Sequence, residues 1–131
     1  MDIEGVTTQP DPYAPYLLSQ AIKSGPFVFV SGQAGYGDDG KIVEGDFAVQ
    51  GEQAFQNLKR ALTAAGSSLD KVVKVTIFVT DMDQFNHVVE LRRKHFSAPY
   101  PADSIVEIKA LYTPEAMIEI EAIALASDAT E

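Results

Sequence analysis

The chain has 131 residues, with ten basic and 19 acidic side chains and a formal net charge of -9 at pH 7. This acidic balance argues against a nucleic-acid partner, because proteins bind phosphate backbones mainly through lysine and arginine. The sequence has no cysteine, which excludes disulfides, thiolate nucleophiles and cysteine-ligated metals. A single domain of this length has a large surface relative to its core, so oligomerisation is expected.

The chain is predicted to consist of an extended N-terminal arm at residues 1–15, one domain at 16–126 and a C-terminal tail at 127–131. Pro10, Pro12 and Pro15 favour an extended arm over a helix. The acidic N-terminus lacks the apolar run of a signal peptide, and no stretch reaches the ~20 apolar residues of a membrane span. We therefore expect a soluble, cytoplasmic protein with no membrane partner.

The first half of the domain is predicted to form a strand hairpin followed by a helix. Residues 27–30 are apolar and favour a strand, with 18–23 as the hairpin partner and turn residues at 35–40. From about Val49 the apolar period changes to that of an amphipathic helix, with an inner stripe of Phe55, Leu58, Leu62 and Ala65. Gly66 supplies the stop signal of this helix.

The second half is predicted to add a strand, a helix and two more strands. Residues 72–80 alternate in polarity as a strand does. Asp81 or Asp83 is expected to cap a helix that runs to about Phe96, with an inner stripe that includes Phe85, Val88 and Val89. Strands follow at roughly 103–109 and 117–125. The order β-β-α-β-α-β-β indicates an α+β sandwich, with both helices on one face of a mostly antiparallel sheet. The other face has nothing in this chain to cover it.

Few residues carry chemistry by their pattern alone. Glu119 and Glu121 alternate with isoleucines, so both carboxylates are expected on the same face of the last strand. His87 and His95 are eight residues apart, a spacing without specificity for a metal site. The glycine-rich turn lacks the ending of a phosphate-binding loop. We predict neither a metal nor an organic cofactor.

Five segments resemble the Rid family of reactive-intermediate (enamine/imine) deaminases, also called YjgF-type proteins. They occur in the order of that family and span residues from about 14 to 126: Ala14-Pro15-Tyr16 leading to Ser31-Gly32-Gln33, Ala65-Gly66-Ser67-Ser68-Leu69, Val73-Lys74-Val75-Thr76-Ile77-Phe78, Thr80-Asp81-Met82, and Ile118-Glu119-Ile120-Glu121-Ala122-Ile123-Ala124. The resemblance implies the chorismate-mutase-like fold. It also implies a homotrimer, in which three sheets surround a barrel-like core and the ligand clefts lie between subunits.

The resemblance also implies a set of site residues. Glu119 corresponds to a catalytic glutamate that directs water to an imine carbon, and Tyr16 and Ser31 correspond to groups that orient the substrate. In deaminating relatives an arginine holds the substrate carboxylate, but this sequence has Asp103 at that position, and Ile105 replaces a frequent cysteine. Both are expected to line the substrate-binding cleft.

The exchange of arginine for Asp103 determines the functional prediction. The chain has three arginines, Arg60, Arg92 and Arg93, and all are predicted on helices, away from the cleft. We therefore predict a deaminase of a small enamine or imine that is not optimised for simple 2-imino acids, with an amine or imine as ligand. The alternative is a non-catalytic trimer that binds a small ligand or has a regulatory role. The charge of -9 disfavours a ribonuclease.

Overall fold

The computed structural model describes residues 2–127, so most of the predicted tail at 127–131 lies outside the described residues. Two α-helices are present, α1 at Phe47–Ala64 and α2 at Phe85–His95. Single 3-10 turns occur at Ala14–Tyr16, Leu69–Lys71 and Met82–Gln84. Six strands are present: β1 Ile3–Val6, β2 Ala21–Ser24, β3 Phe27–Ala34, β4 Val72–Val79, β5 Ala102–Glu107 and β6 Ile118–Leu125.

The six strands form one sheet in the order β1-β2-β3-β6-β4-β5. All neighbours are antiparallel except β4 and β5, which run parallel because α2 connects them as a crossover helix. The predicted fold class is confirmed: both helices cover one face of a mostly antiparallel sheet. The structure adds β1, which lies within the predicted arm and pairs with β2 along its whole length.

Helix α1 forms the centre of the core. Asp46 begins it by accepting a hydrogen bond from the Val49 backbone nitrogen at 3.1 Å, so the helix starts two residues before the predicted position. The predicted inner stripe is fully buried against the sheet, with exposures of 4% or less for Phe55, Leu58, Leu62 and Ala65. This packing fixes which face of β3, β4 and β6 lies under the helices.

Helix α2 differs from the prediction at its first residue. Asp81 caps a 3-10 turn, and the helix proper follows from Phe85. Val88 and Leu91 are buried, but Phe85, which the periodicity assigned to the inner stripe, is 41% exposed. The preceding 3-10 turn changes the angular position of the first helical residue, so Phe85 lies beside the core near the end of the sheet.

The face of the sheet opposite the helices is open in the described chain. It exposes large apolar side chains on three strands: Phe27, Phe29, Val106 and Leu125. A bulge between Val72 and Lys74 also leaves Val73 partly exposed rather than in line with the buried residues of β4. None of the helices in residues 2–127 is long and apolar enough to cross a membrane.

Candidate active site

Glu119 lies on the open face of the sheet, near the start of β6. Its neighbours Ile118 and Ile120 are buried under the helices, so Glu119 and Glu121 point to the opposite side, as the alternation predicted. In the strand register Glu119 lies opposite Ala34 of β3 and Phe78 of β4. Glu119 therefore lies on a strand whose backbone pairs with β3 on one side and with β4 on the other.

A glycine makes room for this carboxylate. The β3–β6 register shifts between Val30 and Gln33, and Gly32 lies in this bulge. A Cβ atom at Gly32 would lie 2.6 Å from Cδ of Glu119 and closer still to Oε2. Real Cβ atoms do not approach other atoms so closely, so the carboxyl group rests on the bare backbone of Gly32. The bulge thus creates the recess that Glu119 fills.

Hydrogen bonds fix the chain around the bulge. The Tyr13 hydroxyl donates to the Gly32 carbonyl oxygen. The Ser31 hydroxyl donates to the Ser19 carbonyl oxygen at 2.6 Å, and the Ser31 backbone nitrogen donates to the Gln20 carbonyl oxygen at 3.0 Å. Ser31 therefore lies beside the recess, and its hydroxyl proton holds β3 to the segment before β2. Its role in orienting a substrate stays a prediction.

A buried polar cluster supports the recess from behind. The Tyr13 ring packs edge-on against Tyr36, with ring centroids 5.8 Å apart. The Tyr36 hydroxyl donates to Gln33 Oε1 at 2.6 Å and accepts from Gln20 Nε2 at 3.0 Å. Each of these buried groups has a partner, and such satisfied networks hold one conformation. This cluster positions Tyr36, against which the Tyr13 ring packs, and Tyr13 in turn holds the Gly32 carbonyl oxygen.

Burial shifts the proton affinities of the groups at this recess. Burial, together with the nearby charge of Glu121, raises the pKa of Glu119 above its usual range. Burial and the neighbouring Tyr36 and Glu119 raise the pKa of Tyr13 far above that of a free phenol. Burial and the charge of Glu119 also raise the pKa of Tyr112. The site therefore combines a carboxylate that takes up a proton readily with phenols that stay protonated.

Tyr16 lies at the rim rather than in the recess of this chain. It ends the 3-10 turn Ala14–Tyr16, and its side chain is 78% exposed. The next residue, Leu17, has a left-handed backbone with φ of 64° and is almost fully exposed. A non-glycine residue in this conformation is uncommon. The turn presents two large apolar side chains, Tyr16 and Leu17, outward from the chain.

Asp103 lies on the other side of the sheet. The parallel register places Asp103 beside Val75 and Ile105 beside Ile77, and both β4 residues are buried under the helices. Asp103 forms a two-pronged ion pair with Arg92 of α2: Nε to Oδ2 is 2.9 Å and Nη2 to Oδ1 is 3.0 Å. The expectation that no arginine lies near Asp103 is therefore wrong. It failed because Asp103 and α2 share one side of the sheet.

Within one chain the predicted site residues form two groups. Glu119 and Ser31 adjoin the recess on the open face, with Tyr16 at its rim. Asp103 and Ile105 are partly buried on the helix side of the edge strand β5. They can meet only if β5 of one subunit approaches the recess of another, as the resemblance implies. This shared cleft stays a prediction.

Sequence reasoning missed three residues that the geometry brings to these sites: Tyr13, Tyr112 and Arg92. Tyr13 and Tyr112 lie in irregular segments without periodicity, so no pattern pointed to them. Arg92 had a usable signal. A strand, a helix and a second strand in succession favour a crossover, which brings the helix over the second strand.

The described residues offer no group of three or more His, Asp or Glu side chains that could hold a metal ion. His95, one of the two histidines considered for metal binding, is 7% exposed at its side chain. It stacks on Phe55 with centroids 4.8 Å apart and contacts Glu52 Oε1 through Nε2 at 2.9 Å. His95 therefore contributes to the packing of α2 on α1.

Comparison with known proteins gives a consistent set of matches. Residues 6–126 match the profile of a family described as Endoribonuclease L-PSP. A RutC family protein of Pyrococcus horikoshii is 43% identical over 116 residues, which cover 88% of this chain and 90% of that protein. Reactive Intermediate Deaminase A, a chloroplastic protein of Arabidopsis thaliana, is 41% identical over 122 residues, covering 92% of this chain and 65% of that protein.

A solved structure agrees with these sequence matches. The crystal structure of yeast Mmf1 superposes with a TM-score of 0.90 at 39% identity, covering 96% of this chain and all of the other. The Saccharomyces cerevisiae protein is described as mitochondrial. Relatives therefore occur outside the cytoplasm, and the predicted cytoplasmic location of this chain stays a prediction.

Proposed function

Because this chain belongs to the Rid (YjgF) family, whose profile matches residues 6–126, we propose that it hydrolyses a small enamine or imine to a carbonyl compound and ammonia. The observation that supports this most is the Glu119 carboxyl group, seated on Gly32 with its pKa raised by burial and by Glu121. One relative, from Arabidopsis thaliana, carries the name of a reactive intermediate deaminase.

The proposed reaction needs one water molecule and proton transfers. An enamine first takes a proton on carbon and becomes the iminium tautomer. Glu119 then accepts a proton from water as the water oxygen bonds to the electrophilic carbon. Glu119 returns this proton to the nitrogen. The hydroxyl group then gives its proton to Glu119 as the oxygen forms a carbonyl group, the carbon–nitrogen bond breaks and ammonia leaves. Release of the Glu119 proton to solvent balances the proton that the enamine took up at the start. A positioned carboxylate of raised pKa suits both the acceptance and the return of the proton.

The neighbouring phenols have a supporting role in this proposal. A phenol whose pKa is raised remains a neutral hydrogen-bond donor at pH 7, so Tyr112 can donate to a developing hydroxyl or carbonyl oxygen. Tyr13 uses its hydroxyl to hold the Gly32 carbonyl and is a positioning residue. Tyr16 is exposed at the rim, where it would orient substrate or close the cleft against a second subunit. No metal or organic cofactor enters these steps.

Two matched variants test the proposal. The imines are generated in situ by an amino-acid oxidase or by a threonine dehydratase, and the release of carbonyl product is followed. Glu119→Gln should lower the rate at least ~100-fold, a typical contribution of general acid–base catalysis. Glu121→Gln removes a carboxylate from the same strand face two residues away, and it should retain most of the activity.

The carbonyl-derived part of the substrate should also be varied, since Asp103 stands where deaminating relatives have a carboxylate-binding arginine. Imines without a carboxylate, such as those of simple aldehydes and ketones, belong in the panel with 2-imino acids. Equal rates for the natural protein and the Glu119→Gln variant would refute the catalytic role of Glu119. If no imine in the panel reacts faster than in water, the non-catalytic ligand-binding trimer becomes the better interpretation.

A further inference from the structure

The Arg92–Asp103 ion pair forms part of the wall of an open pocket. The guanidinium and the carboxylate meet through two parallel hydrogen bonds of 2.9 and 3.0 Å, and their side chains are 23% and 18% exposed. The pocket has a volume of about 430 Å³, and its other lining residues are Phe85, Phe96, Tyr100, Pro101 and Ile105. The pair is thus the charged element of a largely aromatic and aliphatic cavity.

The guanidinium is fixed in position from two sides. Asp103 holds Nε and Nη2, and the Phe85 ring lies 5.7 Å from the central carbon of the guanidinium. Among the described residues these two nitrogens are the ones that donate to a protein acceptor. Nη1 therefore has two N–H groups without a protein acceptor among the described residues. Asp103 also has further lone pairs on both oxygens beyond the two that Arg92 occupies.

We propose that this pocket binds a small ligand through an uncharged amide-like group, and that Asp103 masks Arg92 against carboxylates. The pair carries no net charge and offers an N–H donor beside a carboxylate acceptor, which complements a group that has both a carbonyl oxygen and an N–H. A monocarboxylate would gain the Arg92 contact but would lie against Asp103, so the two effects oppose each other. The apolar walls accommodate a short hydrocarbon body.

This inference deepens the proposed function, because Asp103 and Ile105 also belong to the proposed shared cleft; the pocket itself lies within one chain, and its ligand preference is measured without catalysis. It makes Arg92 and Asp103 the residues that determine which head group enters the pocket. If the ion pair only stabilises the packing of α2 on β5, removal of the Asp103 charge should alter stability and leave the ligand preference unchanged. The two interpretations therefore differ in a measurable quantity.

The test compares two probes of equal shape, propanamide and propanoate. Their affinities are measured by NMR titration at millimolar concentrations, with the Arg92 Nε–H resonance as reporter. The natural protein should prefer propanamide. Asp103→Asn keeps the size of the side chain and removes its charge, so propanoate affinity should rise roughly tenfold or more, because its charge-assisted contact with Arg92 is no longer opposed by Asp103. The preference should then reverse.

Three controls make the result specific. Arg92→Gln combined with Asp103→Asn should abolish the gained propanoate affinity. Glu90→Gln, which also removes the carboxylate of a neighbouring arginine pair on α2, should leave both affinities unchanged. As the third control, neither probe contains an imine group, so failure of the proposed catalysis is distinguishable from failure of this inference. If Asp103→Asn fails to fold, Arg92→Gln alone should weaken propanamide binding. Folded Asp103→Asn protein that binds propanoate no better than the natural protein would overturn the proposal.

Discussion

At the scale of single residues, Gly32 is the position where one added methyl group should act directly on Glu119. Its missing Cβ atom leaves the space that the Glu119 carboxyl group occupies. Gly32→Ala should destabilise the protein by only ~1 kcal/mol, at the low end of the cost of inserting a methyl group into filled space, because the colliding atoms are the far end of the flexible Glu119 side chain. It should also lower deaminase activity, because Glu119 must move. Chemical denaturation and the imine assay measure the two effects.

A double substitution separates the clash from other effects of the alanine. In a Glu119→Ala background the same Gly32→Ala change should cost far less stability, since the colliding carboxyl group is gone. Gly5→Ala is the matched control, because the nearest atom to its Cβ would be Ser19 Oγ at an ordinary contact distance of 3.8 Å. An undiminished cost in the Glu119→Ala background would contradict the proposed contact.

The residue scale also shows where the sequence was informative. The alternation around Glu119 correctly predicted its strand face, because the neighbouring isoleucines had to be buried. The recess itself was not predictable, because it depends on a bulge in the pairing of β3 with β6, residues almost 90 positions apart in the chain. The environment of Asp103 was mispredicted for a similar reason: its partner Arg92 is brought close by the crossover of α2, not by local spacing.

At the scale of elements, α1 and α2 are joined by a small charged cluster around Glu52. Its Oε1 accepts from Lys94 Nζ at 2.9 Å and contacts His95 Nε2 at 2.9 Å, and Gln56 donates to Oε2 at 2.8 Å. Burial alone would raise the pKa of Glu52, but these hydrogen bonds outweigh it and lower the pKa to about 2. The folded state therefore favours the ionised carboxylate.

This shift predicts a pH-dependent contribution of Glu52 to stability. A carboxyl group with a lowered folded-state pKa stabilises the fold above its unfolded value of 4.5, and the stabilisation is lost as the pH falls from there to about 2. Glu52→Gln should cost roughly 1 kcal/mol or less at pH 7, because Lys94 is largely exposed. Urea unfolding at several pH values and constant protein concentration should show this difference shrinking toward zero in acid. A pH-independent cost of Glu52→Gln would refute the linkage.

The secondary-structure elements were predictable where their pattern is local. The period of α1 and the alternation of β4 and β6 follow from burial on one side, and their positions agree with the structure to within a few residues. Strand β1 was not predicted, because Ile3–Val6 has no strong alternation and becomes a strand through its pairing with β2. Phe85 was misplaced because a 3-10 turn precedes α2 and changes its phase.

At the scale of the whole molecule, the charge of -9 opposes the ribonuclease function that the name of the matching family profile suggests. We expect neither tight RNA binding nor cleavage, since a surface with 19 acidic and ten basic residues repels phosphate at neutral pH. Filter binding and gel assays with single-stranded RNA at physiological salt measure both. Submicromolar affinity that persists after repeated purification would contradict the expectation.

The open face of the sheet gives the prediction for assembly. Phe27, Phe29 and Leu125 are each about 40% exposed there, and a soluble monomer rarely leaves large apolar side chains clustered on a sheet. The exposed face predicts self-association, and the family resemblance implies a homotrimer whose sheets cover one another, so sedimentation equilibrium should give three times the 14.2 kDa chain mass at micromolar concentration. A charge in this face would lie unpaired in the interface, so Phe29→Asp should dissociate the assembly. Val49→Glu, at an exposed apolar residue of α1 on the opposite side, should leave it intact. A stable monomer of the natural protein would refute the trimer, and with it the cleft in which Asp103 of one subunit meets Glu119 of another.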